Sequence, residues 1–369
     1  MNKVSWSGGT IGDQNGRCFI VAEAGTAHRG DKEKAYALAD AAKRAGADCV
    51  KFQIVFADEI VHPAAGSIPL PGGDVPIYQQ FKQLEKDFDF YEDIQKYCST
   101  KGILFLCSVF GEKSASLYQR LQPWAVKIAS PELNHYPLLE QVSGWHCPVL
   151  LSTGVSTLED IKKALVVVKK NVLLFHCITS YPAREEEYNI RVVSKLRSIF
   201  GIPVGVSDHS NDPLLVPGCA VLENAAAIEK HLTLSRKNSG LDDPIALEET
   251  DFKTMVEGIR YLESMEPAAA RHFLNQRYGE QRVEAVMGTG EKHLAPGEAA
   301  NYTTTKRSIM AISDIQAGEL ILPQNIALLR SEKNIAPGLS PDNFKHIIGK
   351  RAQKKIHSGK GIDWEDIVS

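Results

Sequence analysis

Phe19-Ile-Val-Ala-Glu23, a helix-like stretch over residues 32–45, and Asp48-Cys-Val-Lys-Phe-Gln53 together read as one strand–helix–strand unit. Both runs are short and apolar, and the stretch between them carries Ala and Leu on one face. Near-continuous apolar strands that alternate with helices belong to parallel sheets buried on both faces. The pattern continues through Leu104-Phe-Leu-Cys-Ser108, Ala125-Val-Lys-Ile128, Val149-Leu-Leu-Ser152, Val172-Leu-Leu-Phe-His176, Val204-Gly-Val-Ser207 and Ala227-Ile-Glu-Lys230. Helical stretches follow the strands, clearest at residues 88–101, 157–169, 190–200 and 250–263. Eight such units in this length predict an α/β fold, a closed (β/α)8 TIM barrel rather than an open doubly wound sheet.

The barrel is expected over residues 1–266. Residues 54–86, rich in Pro and Gly, read as a long loop after the second strand, and loops of that length are usually functional or flexible. Residues 267–305 show little strand signal and read as a linker. From residue 306 to 369, strand-like pieces such as Arg307-Ser-Ile-Met-Ala-Ile312 alternate with turns and predict a small β-rich second domain.

The chain has 369 residues, 43% hydrophobic and 24% charged, with a net charge of -3. No basic stripe points to nucleic acid, and no polybasic cluster or long apolar run points to a membrane. Anionic ligands must therefore be held by local sites. The N-terminus lacks the apolar core of a signal peptide. The seven cysteines (18, 49, 98, 107, 147, 177, 219) are dispersed and read as reduced thiols of a cytoplasmic protein.

The polar residues of the strands gather at their C-terminal ends: Glu23, Lys51 and Gln53, Ser108, Lys127 with Ser130 and Glu132 beyond, Ser152, His176, Ser207 to His209, and Lys230 with His231. In a (β/α)8 barrel these ends converge on one face. A lysine at one strand end is more often a solvated cap, and a serine more often satisfies nearby backbone. Two lysines with four hydroxyls (Ser108, Ser130, Ser152, Ser207) make a phosphate cradle, because phosphate oxygens need several donors and compensating charge. His209 and His231, at adjacent strand ends, suit two imidazoles on one metal. His28 and His176 read as packing groups. Glu132 could cap a helix, whereas Glu23 closes an apolar strand and calls for a partner.

These stretches resemble the sialic acid synthases, the N-acetylneuraminate synthases with their legionaminate and pseudaminate relatives. The resemblance rests on Phe19-Ile-Val-Ala-Glu-Ala-Gly25 with His28-Arg-Gly30, Ala45-Gly-Ala-Asp-Cys-Val-Lys-Phe-Gln53, Lys127-Ile-Ala-Ser-Pro-Glu132, Leu151-Ser-Thr-Gly154, Gly205-Val-Ser-Asp-His209 and Glu229-Lys-His-Leu-Thr233. Residues 306–369 resemble the family's antifreeze-like SAF domain at Arg307-Ser, Asp314-Ile-Gln-Ala-Gly-Glu319 and Ile348-Gly-Lys350.

The resemblance implies a transferase that condenses phosphoenolpyruvate with N-acetylmannosamine or a related amino-sugar aldehyde. Phosphoenolpyruvate would be held by Lys51, Ser108, Lys127, Ser130, Ser152 and Ser207. A divalent metal, usually Mn2+ with Mg2+ or Co2+ as alternatives, would sit on His209 and His231. Glu23, Tyr181 and Asp242 would handle the acceptor sugar. Glu23, Glu132 and Lys127 would carry the chemistry, Glu132 as general base or water-positioning group. Arg330 would enter from a partner chain in a domain-swapped homodimer. The chain departs from the family pattern at Ala27, Pro131, Thr179, the Pro71-Gly-Gly73 turn and the residues after Arg330. These departures bear on the sugar, not on the phosphate or metal site. A class I aldolase using Lys51 or Lys127, and a non-catalytic sugar-binding protein, are the competing readings.

Overall fold

The structure is a computed structural model, and it describes residues 3–12, 17–70, 73–238 and 240–368. Pro71 and Gly72 of the turn noted above lie outside the described residues.

Eight parallel strands close into a barrel in chain order, each followed by a helix: β1 (Phe19–Gly25), α1 (Lys32–Arg44), β2 (Cys49–Ile54), α2 (Phe88–Lys101), β3 (Leu104–Val109), α3 (Glu112–Arg120), β4 (Val126–Ile128), α4 (Tyr136–Ser143), β5 (Val149–Ser152), α5 (Leu158–Val167), β6 (Val172–Cys177), α6 (Val192–Phe200), β7 (Val204–Asp208), α7 (Leu215–Leu222), β8 (Ala227–His231) and α8 (Glu249–Glu263). β8 pairs with β1 in parallel, His231 opposite Glu23, which closes the cylinder. Every predicted strand is present, within two residues of its expected limits.

Strand residues alternate between two cores. Outward residues such as Ile20, Val50 and Leu151 pack against the helices. Inward residues Val21, Cys49, Leu106, Leu150, Leu173 and Ala227 fill the lower barrel. A hairpin of Val4–Trp6 and Gly9–Ile11, not anticipated from the sequence, plugs that end with buried Val4 and Ile11. Its Trp6 packs on Trp124, ring centroids 4.6 Å apart. The floor is therefore dry and apolar, and the polar inward residues occupy only the upper layers.

The expected loop at residues 54–86 is largely structured. It holds the short helix Ala57–Ile60, a hairpin of Ser67–Leu70 with Gly73–Pro76, and the helix Ile77–Leu84. The expected linker is also helical. α9 (Pro267–Tyr278) opens with proline at its first position, and α10 (Glu280–Met287) follows. Ala270 and Leu274, then Val283, Val286 and Met287, fall at helical spacing and join the barrel's outer core. A fully buried stripe of that kind makes the segment part of the barrel.

The C-terminal domain pairs β9 (Arg307–Ala311) with β10 (Ile326–Arg330) antiparallel. Its own core gathers Ile309, Ile315, Ile321, Ile326, Ile347, Ile356 and Ile362. No helix among the described residues is long and apolar enough to cross a membrane.

Candidate active site

A cavity of about 170 Å³ opens at the C-terminal end of the barrel, and Glu23, Lys51, Ser108, Lys127, Ser130, Ser152, Tyr181, Ser207, His209, His231, Asp242 and Arg330 all line it. Twelve of the thirteen residues expected at the site thus meet in one place. A larger groove of about 390 Å³ between α4, α5 and the C-terminal domain is lined by Tyr136, Val166, Phe344 and others, and its charged groups form the exposed ion pairs Lys163–Asp342 and Lys345–Glu140.

Period-two alternation explains the gathering. Lys51 points inward one pleat above Cys49, and Ser108 one pleat above Leu106. The Lys51 ammonium lies 2.8 Å from a Glu23 carboxylate oxygen and 3.4 Å from Glu229. It also donates to the Ser108 hydroxyl at 3.1 Å. The Lys127 ammonium donates to Glu229 Oε1 at 2.9 Å, and the Ser207 hydroxyl donates to the same oxygen at 2.9 Å. The Gly154 N–H donates to Ser130 Oγ at 3.0 Å, while Ser152 Oγ has no hydrogen-bond partner.

Glu229 is the residue that sequence reasoning missed. It sits inward on β8, two residues before His231, and counters both lysines. The signal was available: in a strand, residues two apart share a face, so the inward His231 fixes Glu229 as inward too. Lys230 between them points away and bonds Asp208 at 2.6 Å, outside the cavity.

The electrostatics follow from this packing. Burial alone would raise the Glu229 carboxyl, but Lys127 and Lys51 outweigh it and hold it down at about 2. Burial pushes Glu23 up, with Lys51 offsetting part of the effect and Glu229 adding to it. Burial would lower Lys51, and the two carboxylates leave it above its ordinary value instead. Burial lowers Lys127, against the pull of Glu229. Burial, then Glu23 and Asp243, push Asp242 up to about 7.

His209 and His231 face each other with ring centroids 5.4 Å apart, and Tyr181 stacks on His209 at 4.3 Å. His209 Nδ1 lies 2.7 Å from the Ile178 carbonyl, so that nitrogen carries the proton and Nε2 keeps its lone pair. Burial lowers His209 to about 4, and burial with His209 lowers His231 well below its ordinary value. Two neutral imidazoles at this separation on one cavity wall fit a shared metal ion. Among the described residues no third His, Cys, Asp or Glu completes a cluster around them.

The structure departs from expectation at Glu132. Glu132 does not line the cavity. It is fully buried, and its Oε1 accepts from Arg307 (Nε 3.2 Å, Nη2 2.8 Å) and Arg330 (Nε 3.1 Å, Nη2 2.6 Å). One oxygen of this carboxylate is thus clamped between two arginines, while its buried Oε2 has no hydrogen-bond partner. Arg307 and Arg330 lie directly opposite each other on β9 and β10, and Glu132 offsets the repulsion between them. Arg330 was expected from a partner chain; here the chain's own Arg330 reaches its own barrel. His28 and His176 lie outside the cavity, His28 against Phe90 and His176 within 2.5 Å of the Tyr188 carbonyl.

A closed barrel with its polar groups confined to one rim defines a TIM-barrel enzyme that carries a C-terminal SAF domain. Residues 38–269 match the NeuB family and residues 306–368 the SAF domain. The chain belongs to the NeuB family, and with it to the phosphoenolpyruvate-dependent transferases. It is 35% identical to the spore coat polysaccharide biosynthesis protein SpsE of Bacillus subtilis, over 95% of this chain and 93% of that one. It is 30% identical to the N,N'-diacetyllegionaminic acid synthase of Legionella pneumophila, over 95% and 94% of the two chains. The crystal structure of the Bacillus subtilis SpsE protein superimposes with a TM-score of 0.83 at 33% identity, covering 100% of this chain and 99% of that one.

Proposed function

We propose that the protein condenses phosphoenolpyruvate with the open-chain aldehyde of an amino sugar of the N-acetylmannosamine type, giving a nonulosonic acid and inorganic phosphate. The observation that carries this reading is the convergence of Lys51 and Lys127 with four serine hydroxyls in one buried cavity beside two neutral histidines. The lysines are now countered by Glu229 and Glu23, and a phosphate with its neighbouring carboxylate takes over that charge when it binds.

Carbon 3 of phosphoenolpyruvate attacks the aldehyde carbon, and water captures the cation that develops at carbon 2. The tetrahedral intermediate then loses phosphate. With Glu132 held away from the cavity, Glu229 is the carboxylate that lines it between Lys51 and Lys127 and is placed to take the proton of that water once the phosphate has taken over the lysine charge. Glu23, paired with Lys51, faces the acceptor end of the cavity with Tyr181, Asp242 and Arg330 around it. A divalent metal on His209 and His231, Mn2+ with Mg2+ or Co2+ as alternatives, supplies Lewis-acid polarisation of the aldehyde oxygen when bound.

The working unit in this reading is a cytoplasmic homodimer. Seven free cysteines suit a reducing compartment. Exchange of SAF domains would put the partner's Arg330 where the chain's own now stands, leaving the site's composition unchanged.

The test is phosphate release from phosphoenolpyruvate across a panel of N-acylated mannosamines, their 6-phosphates and diacetamido-trideoxy sugars, with and without Mn2+. Release dependent on both sugar and phosphoenolpyruvate supports the reading. Borohydride trapping of Lys51 or Lys127 with pyruvate, without phosphate release, would replace it with a Schiff-base aldolase.

A further inference from the structure

We propose that Glu298, in the segment joining barrel and SAF domain, is a positioning residue for the phosphate cradle. This rests on the reading that the cradle binds phosphoenolpyruvate.

Glu298 sits in the short helix Pro296–Ala299 and is completely buried. It reaches back into the barrel rim, where its Oε1 accepts the Val155 N–H at 2.6 Å and the Thr179 N–H at 2.7 Å. Its Oε2 accepts the Ala295 N–H at 3.3 Å. One carboxylate thus ties the loop after β5 to the loop after β6. Charge-assisted bonds to backbone N–H groups are the strong class of hydrogen bond, and no other carboxylate bonds either loop's backbone at these positions among the described residues.

What it ties down is under strain. Val155 has φ +42°, a left-handed conformation that a β-branched residue adopts only when its surroundings impose it. Immediately before it, Gly154 has no room for a side chain. A Cβ there would lie 2.1 Å from Thr179 Oγ1 and 2.9 Å from Ser130 Oγ. That close approach lets the Gly154 N–H bond Ser130 Oγ, which engages the hydroxyl as acceptor and leaves its proton to donate elsewhere. Ser152, two residues earlier, presents its partnerless hydroxyl to the same cavity. Glu298 therefore fixes the turn from which two of the cradle hydroxyls take their direction, although it touches no substrate itself.

The test compares phosphoenolpyruvate binding by calorimetry, and KM for each substrate, in wild type, Glu298→Ala, Glu298→Gln and the double variant Glu298→Ala/Val155→Gly. We expect Glu298→Ala to raise KM and Kd for phosphoenolpyruvate by about tenfold or more, with KM for the sugar within about twofold of wild type. Glu298→Gln keeps an acceptor oxygen and recovers part of the loss. Glycine adopts positive φ freely, so Val155→Gly added to Glu298→Ala restores binding in part. Unchanged phosphoenolpyruvate affinity in Glu298→Ala overturns the proposal, and so does an equal loss for both substrates that Val155→Gly does not relieve. If Glu298→Ala does not fold, a Glu298→Gln variant with wild-type phosphoenolpyruvate KM overturns it equally. Wild type that fails to bind phosphoenolpyruvate overturns the functional reading instead.

Discussion

The Lys230 ammonium lies 2.6 Å from the Asp208 carboxylate, with both side chains sealed from solvent on the outer side of the barrel wall. The pair joins β7 to β8 one residue before each of the two histidines, His209 and His231. Lys230 also donates to the Ser210 and Asp212 carbonyls. The strut therefore holds the strand ends that present both imidazoles. Removing one partner of such a pair leaves an uncompensated buried charge, which costs about 3–5 kcal/mol. Asp208→Asn should lower stability in urea unfolding by that order, while an exposed pair such as Lys253 with Glu257 should shift it by about 0.5 kcal/mol or less when broken.

Metal dependence should follow the histidines. Chelation, or His209→Ala, should abolish phosphate release, and adding Mn2+ back should rescue the chelated wild type but not the variant. Full turnover in metal-free buffer would rule out the metal role.

Glu229→Gln should separate binding from turnover. The carboxylate competes with an incoming anion for Lys51 and Lys127, so its removal should hold or tighten phosphoenolpyruvate affinity. The same change removes the proposed proton acceptor, and kcat should fall by about 10²-fold or more. Parallel losses in Kd and kcat would count against that role.

Glu132→Ala should release both arginines. Arg307 is fully buried and also donates to the carbonyls of Phe110, Glu59, Ile60 and Leu328, so it would be left charged in a closed interface between barrel and SAF domain. We expect a loss of about 3–5 kcal/mol in unfolding free energy, with limited proteolysis now cutting between the two domains. Resistance equal to wild type would show that the interface does not need the clamp.

His28 should contribute to acid sensitivity. It is sealed from solvent, its Nδ1 accepts the Gly30 N–H at 2.9 Å, and its Nε2 has no partner. Burial, then Lys86, lower it from an ordinary 6.5 to about 4. Between those values the unfolded chain binds a proton that the folded chain does not. Stability should therefore be intact above about pH 6.5 and decline as pH falls towards 4, by roughly 3 kcal/mol for this group. The difference in unfolding free energy between wild type and His28→Leu should change with pH over that window and be flat above it.

Much of this was legible beforehand because a parallel barrel buries its strands on both faces. Val149-Leu-Leu-Ser152 and Val172-Leu-Leu-Phe-His176 have no other reading than buried strands, and their polar ends mark the working rim. The N-terminal hairpin was not legible, since Val4–Trp6 and Gly9–Ile11 are three-residue strands whose apolar character appears only against Phe19 and Trp124. The helices at 267–287 carried an apolar spacing of their own, masked by the Ala and charged residues around it.

Local chemistry alone determined which residues stand at which strand ends, because alternation and apolar burial are written into each run. It fixed Lys51, Lys127, the four serines and the histidine pair on one rim. Partnership was decided only by the tertiary structure. Glu132 and Glu229 are both acids near the ends of strands, yet one is locked between two arginines of another domain and the other lines the cavity, paired with two lysines. That difference depends on which side chains, distant in sequence, come within about 3 Å in a low-dielectric interior, where the pairing sets charge and role.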